Sequence, residues 1–341
     1  MGFSVAVIGA SGYAGGEVVR FIDEHPGLDL VHMGAHSKQG GLLSEVHPQL
    51  RGGDRPLGSN QLEDIPDVDV AFLALPHGLS WELGHSLAER GTKVVDLGSD
   101  YRLDTDQRYH DAYGEPHPLP HELGRWAYGL PELFDVSGAD RVAAPGCYPT
   151  AVLLAAVPFF RAGVAGDGVV VADCLSGVSG AGRGVKESLM FGAIQEGVAA
   201  YKVTEHRHRP EIEMAIGLAS GGEPPVVFTP HLVPMQRGEL ATITIPLGSD
   251  LSTAEARDIL RSAYAGRAFV QVIDGPPQTR WAVSSNRAIL SAFVDDHAGV
   301  IIAQGAIDNL VKGAAGQAVQ NANIMLGFDE TTGLPISGWM P

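Results

Sequence analysis

Gly9-Ala10-Ser11-Gly12-Tyr13-Ala14-Gly15 follows the apolar run Ser4–Ile8 almost at the start of the chain and opens a helical stretch, Gly15–Ile22. A strand, a glycine-rich turn and a helix in that order constrain the fold strongly. The glycines permit a tight turn, and the backbone N–H groups of the helix start are left free for an anion. The spacing is G-x-x-G-x-x-G rather than G-x-G-x-x-G, with the same physics. Further short apolar runs at Asp29–Ala35, Val68–Leu75 and Lys93–Leu97 are separated by helical stretches. Buried strands spaced by helices predict a parallel sheet covered by helices, an α/β domain of Rossmann type.

Beyond residue 165 the texture changes. Gly168–Asp173, Val226–Pro230, Leu240–Pro246, Phe269–Ile273 and Arg287–Val294 read as strands, and Ala241–Ile245 alternates as one buried face requires. A capping box at Ser252–Glu255 starts the one helix expected among them. The second domain is therefore expected to be α+β with a mixed, mostly antiparallel sheet. A last helix is expected over Ala306–Leu326, its small residues Gly313–Gly316 and Ala318 suited to close packing. The expected division is 1–146 for a nucleotide-binding domain, completed by a C-terminal segment of about 306–341, and 147–305 for a catalytic and oligomerisation domain.

The chain's 341 residues suffice for two cores. A net charge of −17 and the lack of any Lys/Arg cluster argue against a nucleic-acid surface. Two cysteines, Cys147 and Cys174, are too few for a disulfide framework and suit a reducing cytoplasm. The N-terminus has no basic region or cleavage site of a secretory signal, and the apolar run Ala151–Phe160 is too short to span a bilayer.

The glycine turn points to a dinucleotide, through Gly9, Ser11, Gly12, Tyr13 and Ala14. No acid occurs between Val31 and Leu43 to hold a ribose 2′-hydroxyl. Ser37 and Lys38 instead suit a 2′-phosphate, so NADP(H) is expected rather than NAD. Pro76 and His77 follow the third strand, at the carboxyl edge where cofactors lie.

Ala144-Pro145-Gly146-Cys147-Tyr148-Pro149-Thr150 places a thiol between a short strand and an apolar helix. The positive end of a helix stabilises a thiolate, and free N–H groups there can hold an oxyanion. A small buried thiol in a turn is the competing reading. His206-Arg207-His208 offers a base or cation: an extended segment would aim both histidines alike, and a helical or turned one would separate them. Arg102, Arg183, Arg207 and Arg237 are candidates for phosphate and carboxylate. His206, His208 and Glu211 lack the i, i+4 pair of a helical zinc site, and no metal is expected.

Several ordered motifs together resemble the N-acetyl-gamma-glutamyl-phosphate reductases, relatives of aspartate-semialdehyde dehydrogenase. They include the glycine turn, Ala74-Leu75-Pro76-His77-Gly78, Val95–Leu103, Tyr128–Glu132, Pro145–Thr150, Ser176–Arg183, His206–Glu211, Phe228–Met235 and Asn309–Ala318. Ala144 and Leu175 depart from the family pattern, where Asn and a polar residue are usual.

The resemblance implies reductive dephosphorylation of N-acetyl-L-glutamyl 5-phosphate to the 5-semialdehyde in arginine biosynthesis, with NADPH as donor. It assigns Cys147 as the thioester-forming nucleophile and favours His206 as base, held or polarised by Glu211, with His208 as fallback and substrate contact. It leans toward Ser179 and Gly180 lining the cofactor, and Asn309 touching the nicotinamide carboxamide. Arg102 and Arg183 are its substrate-binding candidates, and a dimer or tetramer its implied assembly. An aspartate-semialdehyde dehydrogenase, a related acyl-phosphate reductase, or an NADP-binding redox sensor switched at Cys147 are the alternatives.

Overall fold

The computed structural model describes residues 2–339; Met1, Met340 and Pro341, at the ends of the expected domain ranges, lie outside the described residues. The chain forms two compact units. Of the described residues, the first comprises 2–110, 115–145 and 314–334, and the second 111–114, 146–313 and 335–339.

Among the described residues the first unit carries six strands: β1 (Phe3–Ile8), β2 (Leu28–Gly34), β3 (Val70–Leu73), β4 (Lys93–Asp96), β5 (Ala127–Tyr128) and β6 (Arg141–Ala143). They pair in the order β2-β1-β3-β4-β6-β5, every pair parallel. Val5–Ile8 and Val70–Leu73 are sealed from solvent, as strands covered on both faces must be. The helix Tyr13–Glu24 packs on β1, β2 and β3 and on the helix Gly316–Leu326, which also covers β4. Gln320, Asn321 and Asn323 of that last helix are buried yet hydrogen-bonded, to Glu132, the Gly129 carbonyl and His25 respectively. Buried amides of this kind are tolerable only with such partners.

The second unit holds β7 (Val170–Gly177), β8 (Ala199–Ala200), β9 (Val226–Val233), β10 (Glu239–Pro246), β11 (Val270–Val272), β12 (Ala288–Asp295) and β13 (Val300–Ile307). Their order is β11-β12-β13-β10-β7-β9-β8. Pairs β11–β12 and β7–β9 are parallel and the other four antiparallel, so the sheet is mixed and mostly antiparallel, as expected.

The helix Cys147–Arg161 is apolar nearly all round and buried from Tyr148 to Phe159, packed on β10, β12 and β13. Pro158 cannot donate to the Leu154 carbonyl four residues earlier. The Tyr264 hydroxyl donates to that carbonyl instead, at 2.6 Å.

Two of the longer elements differ from the sequence expectation. The last helix does not begin at Ala306. Residues 300–307 form β13, paired on both sides with β12 and β10, and a π-helical turn, Val311–Ala315, precedes the helix proper at Gly316. The β-branched run Val300-Ile301-Ile302 after a Gly299 turn carried that signal. The helix His208–Ser220, with Pro210 and Glu211 in its first turn and a left-handed Gly221 at its end, was not foreseen.

Candidate functional site

The glycine turn of the first unit is built on close backbone approach. Gly9 has φ +89°, and a Cβ there would lie 2.4 Å from the Ala74 carbonyl oxygen. A Cβ on Gly15 would lie 2.2 Å from the Gly9 carbonyl oxygen. Gly12 caps the helix without any side-chain hydrogen bond, and the first turn, beginning at Tyr13 and Ala14, holds no acid. A helix N-terminus with free N–H groups and no competing carboxylate fits a pyrophosphate. Ser37 and Lys38 lie exposed in the turn after β2.

Pro76, exposed, and His77 follow β3 over a buried polar cluster. His77 Nδ1 lies 2.9 Å from Asp100 Oδ1, and Asp100 accepts the N–H groups of Gly78, Ser80 and Trp81 and the Ser80 hydroxyl. Burial alone would raise Asp100, but these hydrogen bonds overrule it and hold it at about 2. Asp96, fully buried, shares the Ser80 hydroxyl. Burial, and then the Asp100 charge, push it up to about 7. One carboxylate is ionised so that the other need not be.

Arg102, expected to hold substrate, is buried in this unit. Its Nε donates to the Ala144 carbonyl and one Nη to the Leu97 carbonyl, so it ties the chain after β4 to the chain after β6.

In the second unit Cys147 occupies the first position of its helix, capped by Gly146, with no acid in the first turn. Gly146 is held on both sides. Its N–H donates to Glu211 Oε1 at 2.9 Å, and its carbonyl accepts both the N–H and the hydroxyl of Thr150. Glu211, expected to hold His206, thus fixes the turn that presents the thiol. Gly313 backs the thiol: a Cβ there would stand 2.7 Å from Cys147 Cβ. Neither cysteine is in a disulfide, and Cys174 is fully buried.

His206 and His208 come together although the segment is turned: Arg207 caps the helix and the two rings lie 4.6 Å apart. The turn brings them to one aromatic box, where His206 also meets Tyr148, Tyr201 and Phe228 at 5.2–5.9 Å between ring centres. The His208 N–H donates to His206 Nδ1. Neutral His206 therefore carries its proton on Nε2 and presents a donor, where a base needs a lone pair. Burial, then the Arg207 and Lys202 charges, lower its pKa to about 4, so it is neutral across the physiological range.

Asn309 donates to the Ser179 hydroxyl at 2.9 Å and accepts the Gly238 N–H at 2.8 Å, joining the Ser179–Gly180 turn to the start of β10. Arg237 pairs with buried Asp308, and Arg183 is exposed. Among the described residues no group of three or more His, Cys, Asp or Glu is arranged for a metal ion.

One residue of this site was missed. Glu239, the first residue of β10, is fully buried, and an interaction with the Cys147 side chain favours its ionised form. The contact is looser than a full hydrogen bond, since neither carboxyl oxygen has a donor in conventional geometry among the described residues. The signal was available. Residues 239, 241, 243 and 245 alternate as the buried face of β10, and Glu239 is the one acid in that phase.

Residues 4–138 match the family model described as semialdehyde dehydrogenase, NAD binding domain, and residues 147–309 match semialdehyde dehydrogenase, dimerisation domain. The N-acetyl-gamma-glutamyl-phosphate reductase of Salinispora arenicola is 45% identical, with the alignment covering 100% of both chains. The one of Heliobacterium modesticaldum is 42% identical over 98% of this chain and 99% of its own. Among solved structures, aspartate semialdehyde dehydrogenase II of Vibrio cholerae superposes with a TM-score of 0.73 at 18% identity, covering 96% of this chain and 99% of that one. The Candida albicans aspartate semialdehyde dehydrogenase gives 0.67 at 16%, covering 95% and 98%. Those two establish the shared fold. With full-length identity above 40% to the curated relatives, the chain belongs to the N-acetyl-gamma-glutamyl-phosphate reductase family.

Proposed function

We propose that the protein reduces N-acetyl-L-glutamyl 5-phosphate to N-acetyl-L-glutamate 5-semialdehyde, a step of arginine biosynthesis, through a thioester on Cys147. The observation that carries this reading is a cysteine at the first position of a helix whose turn is clamped by Glu211, in a chain 45% identical end to end to a reductase of that name.

The Cys147 sulfur attacks the acyl carbon and the C–O bond to phosphate breaks. The N–H groups of the first helical turn face the developing oxyanion. His206 is better suited to donate its Nε2–H to a substrate oxygen than to take a proton, because Nδ1 already accepts from His208. NADPH, when bound, would supply the hydride that the thioester carbon accepts. The tetrahedral adduct on Cys147 then collapses, the C–S bond breaks and the aldehyde leaves. Gly9, Ser11, Gly12, Tyr13 and Ala14 would hold the pyrophosphate, and Ser37 and Lys38 the 2′-phosphate. The resemblance would add Pro76 of the first unit and, in the second, Ser179, Gly180 and Asn309, the last bonded to Ser179, to the cofactor-binding residues. Arg183 and His208 serve the substrate's anionic groups, and Arg102 shapes the loops that end β4 and β6.

The dimerisation-domain match supports a homo-oligomer, a dimer or a tetramer, which sedimentation measures. Among the described residues no helix is long and apolar enough to cross a membrane, in keeping with work in the cytoplasm.

The test is NADP+ reduction by N-acetylglutamate semialdehyde. Turnover should require phosphate and vanish in Cys147→Ala. Phosphate-independent turnover, or turnover with aspartate semialdehyde alone, refutes the assignment.

A further inference from the structure

Glu239 is an acid buried in the core of the second unit. It is fully buried, both carboxyl oxygens lack a donor in conventional geometry, and the side chain it interacts with is the Cys147 thiol. An unpaired buried acid costs stability, and a core position in β10 would be filled more favourably by an apolar side chain. Its position follows from the sheet: β10 lies under the Cys147 helix, and Glu239 is in phase with the buried Ala241, Ile243 and Ile245.

We propose that Glu239 is the catalytic proton acceptor of Cys147, taking the thiol proton as the sulfur attacks and returning it when the sulfur is released. The proposal rests on the acyl-phosphate chemistry above. In the first half-reaction the S–H bond breaks and its proton goes to the Glu239 carboxylate. The S–C bond forms, and phosphate leaves with the C–O electron pair and takes its proton from solvent. In the second, the adduct's oxygen re-forms the C=O bond, the C–S bond breaks with its electrons on sulfur, and Glu239 returns the proton. Glu239 ends as it began.

The surroundings suit this exchange. Burial pushes Glu239 up to about 8, against the opposing interaction with Cys147. That is close to the ordinary thiol value of about 8.5, so the proton passes between the two almost without cost. A solvated glutamate, with its reference value of about 4.3, would be a base some four decades weaker. The other acids facing Glu239 stay protonated: burial first, then the Glu239 charge, raises Tyr148 on the same helix, and Cys174 on β7. Tyr201 is raised by burial and by the Cys147 and Glu239 charges. Ser176 stands opposite Glu239 in the β7 register, and Arg237, two residues earlier, is turned to Asp308. His206, the base expected from sequence, has its Nδ1 lone pair engaged.

The test is Glu239→Gln, read in two ways. Its kcat should fall by about 10²–10³-fold at pH 7.5, with the aldehyde KM within about threefold, because the residue meets the sulfur and not the substrate. Separately, alkylation of Cys147 by iodoacetamide, followed by mass spectrometry against pH, should rise in two steps in the unmodified protein and in one step in Glu239→Gln, since two coupled acids titrate as a pair. Unchanged kcat, or the same alkylation profile in both proteins, overturns the proposal. Should Glu239→Gln fail to fold, an infrared difference spectrum of the unmodified protein on alkylation decides. A shift in a protonated-carboxyl band supports the pairing, and its absence overturns it. Alkylation and infrared need no turnover, so a protein inactive on the acyl phosphate would sink the proposed function while leaving the Cys147–Glu239 pairing to be judged on its own.

Discussion

Gly313→Ala puts a methyl group against the nucleophile itself. The added Cβ would stand 2.7 Å from Cys147 Cβ, 3.2 Å from its Cα and 3.3 Å from Ile307 Cδ1. Carbon atoms in contact prefer about 3.5–4.0 Å, so roughly 1 Å of displacement must be absorbed. Cys147 is the first residue of its helix and Gly146 is clamped by Glu211 and Thr150, so the backbone has little freedom to give. Two effects on stability oppose each other. Overpacking costs about 1–3 kcal/mol, whereas replacing a helical glycine by alanine gains about 0.5–1 kcal/mol. The net loss is therefore modest, about 0–2 kcal/mol, and the melting temperature is the weaker readout. Catalysis is the sharper one, because a displacement of about 1 Å in a reacting group costs on the order of 10²-fold in rate. Single-turnover formation of the Cys147 thioester should slow by about two orders of magnitude in a protein that still folds. A rate within threefold of the unmodified protein would refute the idea that Gly313 sets the position of the sulfur.

Three further outcomes follow from the same geometry. Glu211→Ala strands the buried Gly146 N–H and should cost about 1–3 kcal/mol in urea unfolding, whereas Glu211→Gln keeps an acceptor oxygen and should cost under about 1 kcal/mol; equal losses would show that the charge, not the acceptor, matters. Asp96 has a folded pKa of about 7, above its unfolded value, so between about pH 4 and 7 the unfolded state binds fewer protons than the folded one. Its contribution to stability therefore declines as pH rises through that window and is flat above it. Asp96→Asn should consequently be stabilising at pH 7.5, by at most about 4 kcal/mol, and progressively less so toward pH 4; a difference in unfolding free energy that does not change with pH would refute the shift. Lys38→Ala should raise the KM for NADPH about two- to fivefold, the loss of one exposed charge contact of about 0.4–1 kcal/mol, and leave the KM for NADH unchanged; equal effects on both cofactors would remove Lys38 from the 2′-phosphate site.

The first sheet was legible because its strands are buried on both faces and read as unbroken apolar runs between glycine turns: Val5–Ile8 and Val70–Leu73 have no polar residue to confuse the pattern. The thiol's position at a helix start was legible from Pro-Gly-Cys-Tyr-Pro for the same local reason. What escaped depends on partners remote in sequence. The strand Val300–Ile307 is central in its sheet, yet it runs into Asp308-Asn309, a pair that reads as a helix cap. In the structure Asp308 instead accepts the Ser284, Leu310 and Val311 N–H groups and pairs with Arg237. His206 was legible as a reactive side chain but not as a donor. That property comes from one backbone N–H two residues ahead, which exists only because the chain turns into a helix at His208.

Glu239 shows why local pattern and function part company. Read as part of Arg237-Gly238-Glu239-Leu240, it is a charged residue after a loop, and solvent is its ordinary place. Read in phase with Ala241, Ile243 and Ile245, it is an acid where the sheet requires an apolar side chain. A violation of pattern in a strand core is destabilising unless something compensates, and such violations gather at functional sites. Here the compensation is the thiol, placed above β10 by a helix whose first residue lies 92 positions earlier, at Cys147. No property of either segment alone reveals the pairing. The alternation of β10 marks the position as anomalous, and the Pro-Gly turn marks the thiol as presented. The packing of that helix on that strand makes one the chemical partner of the other.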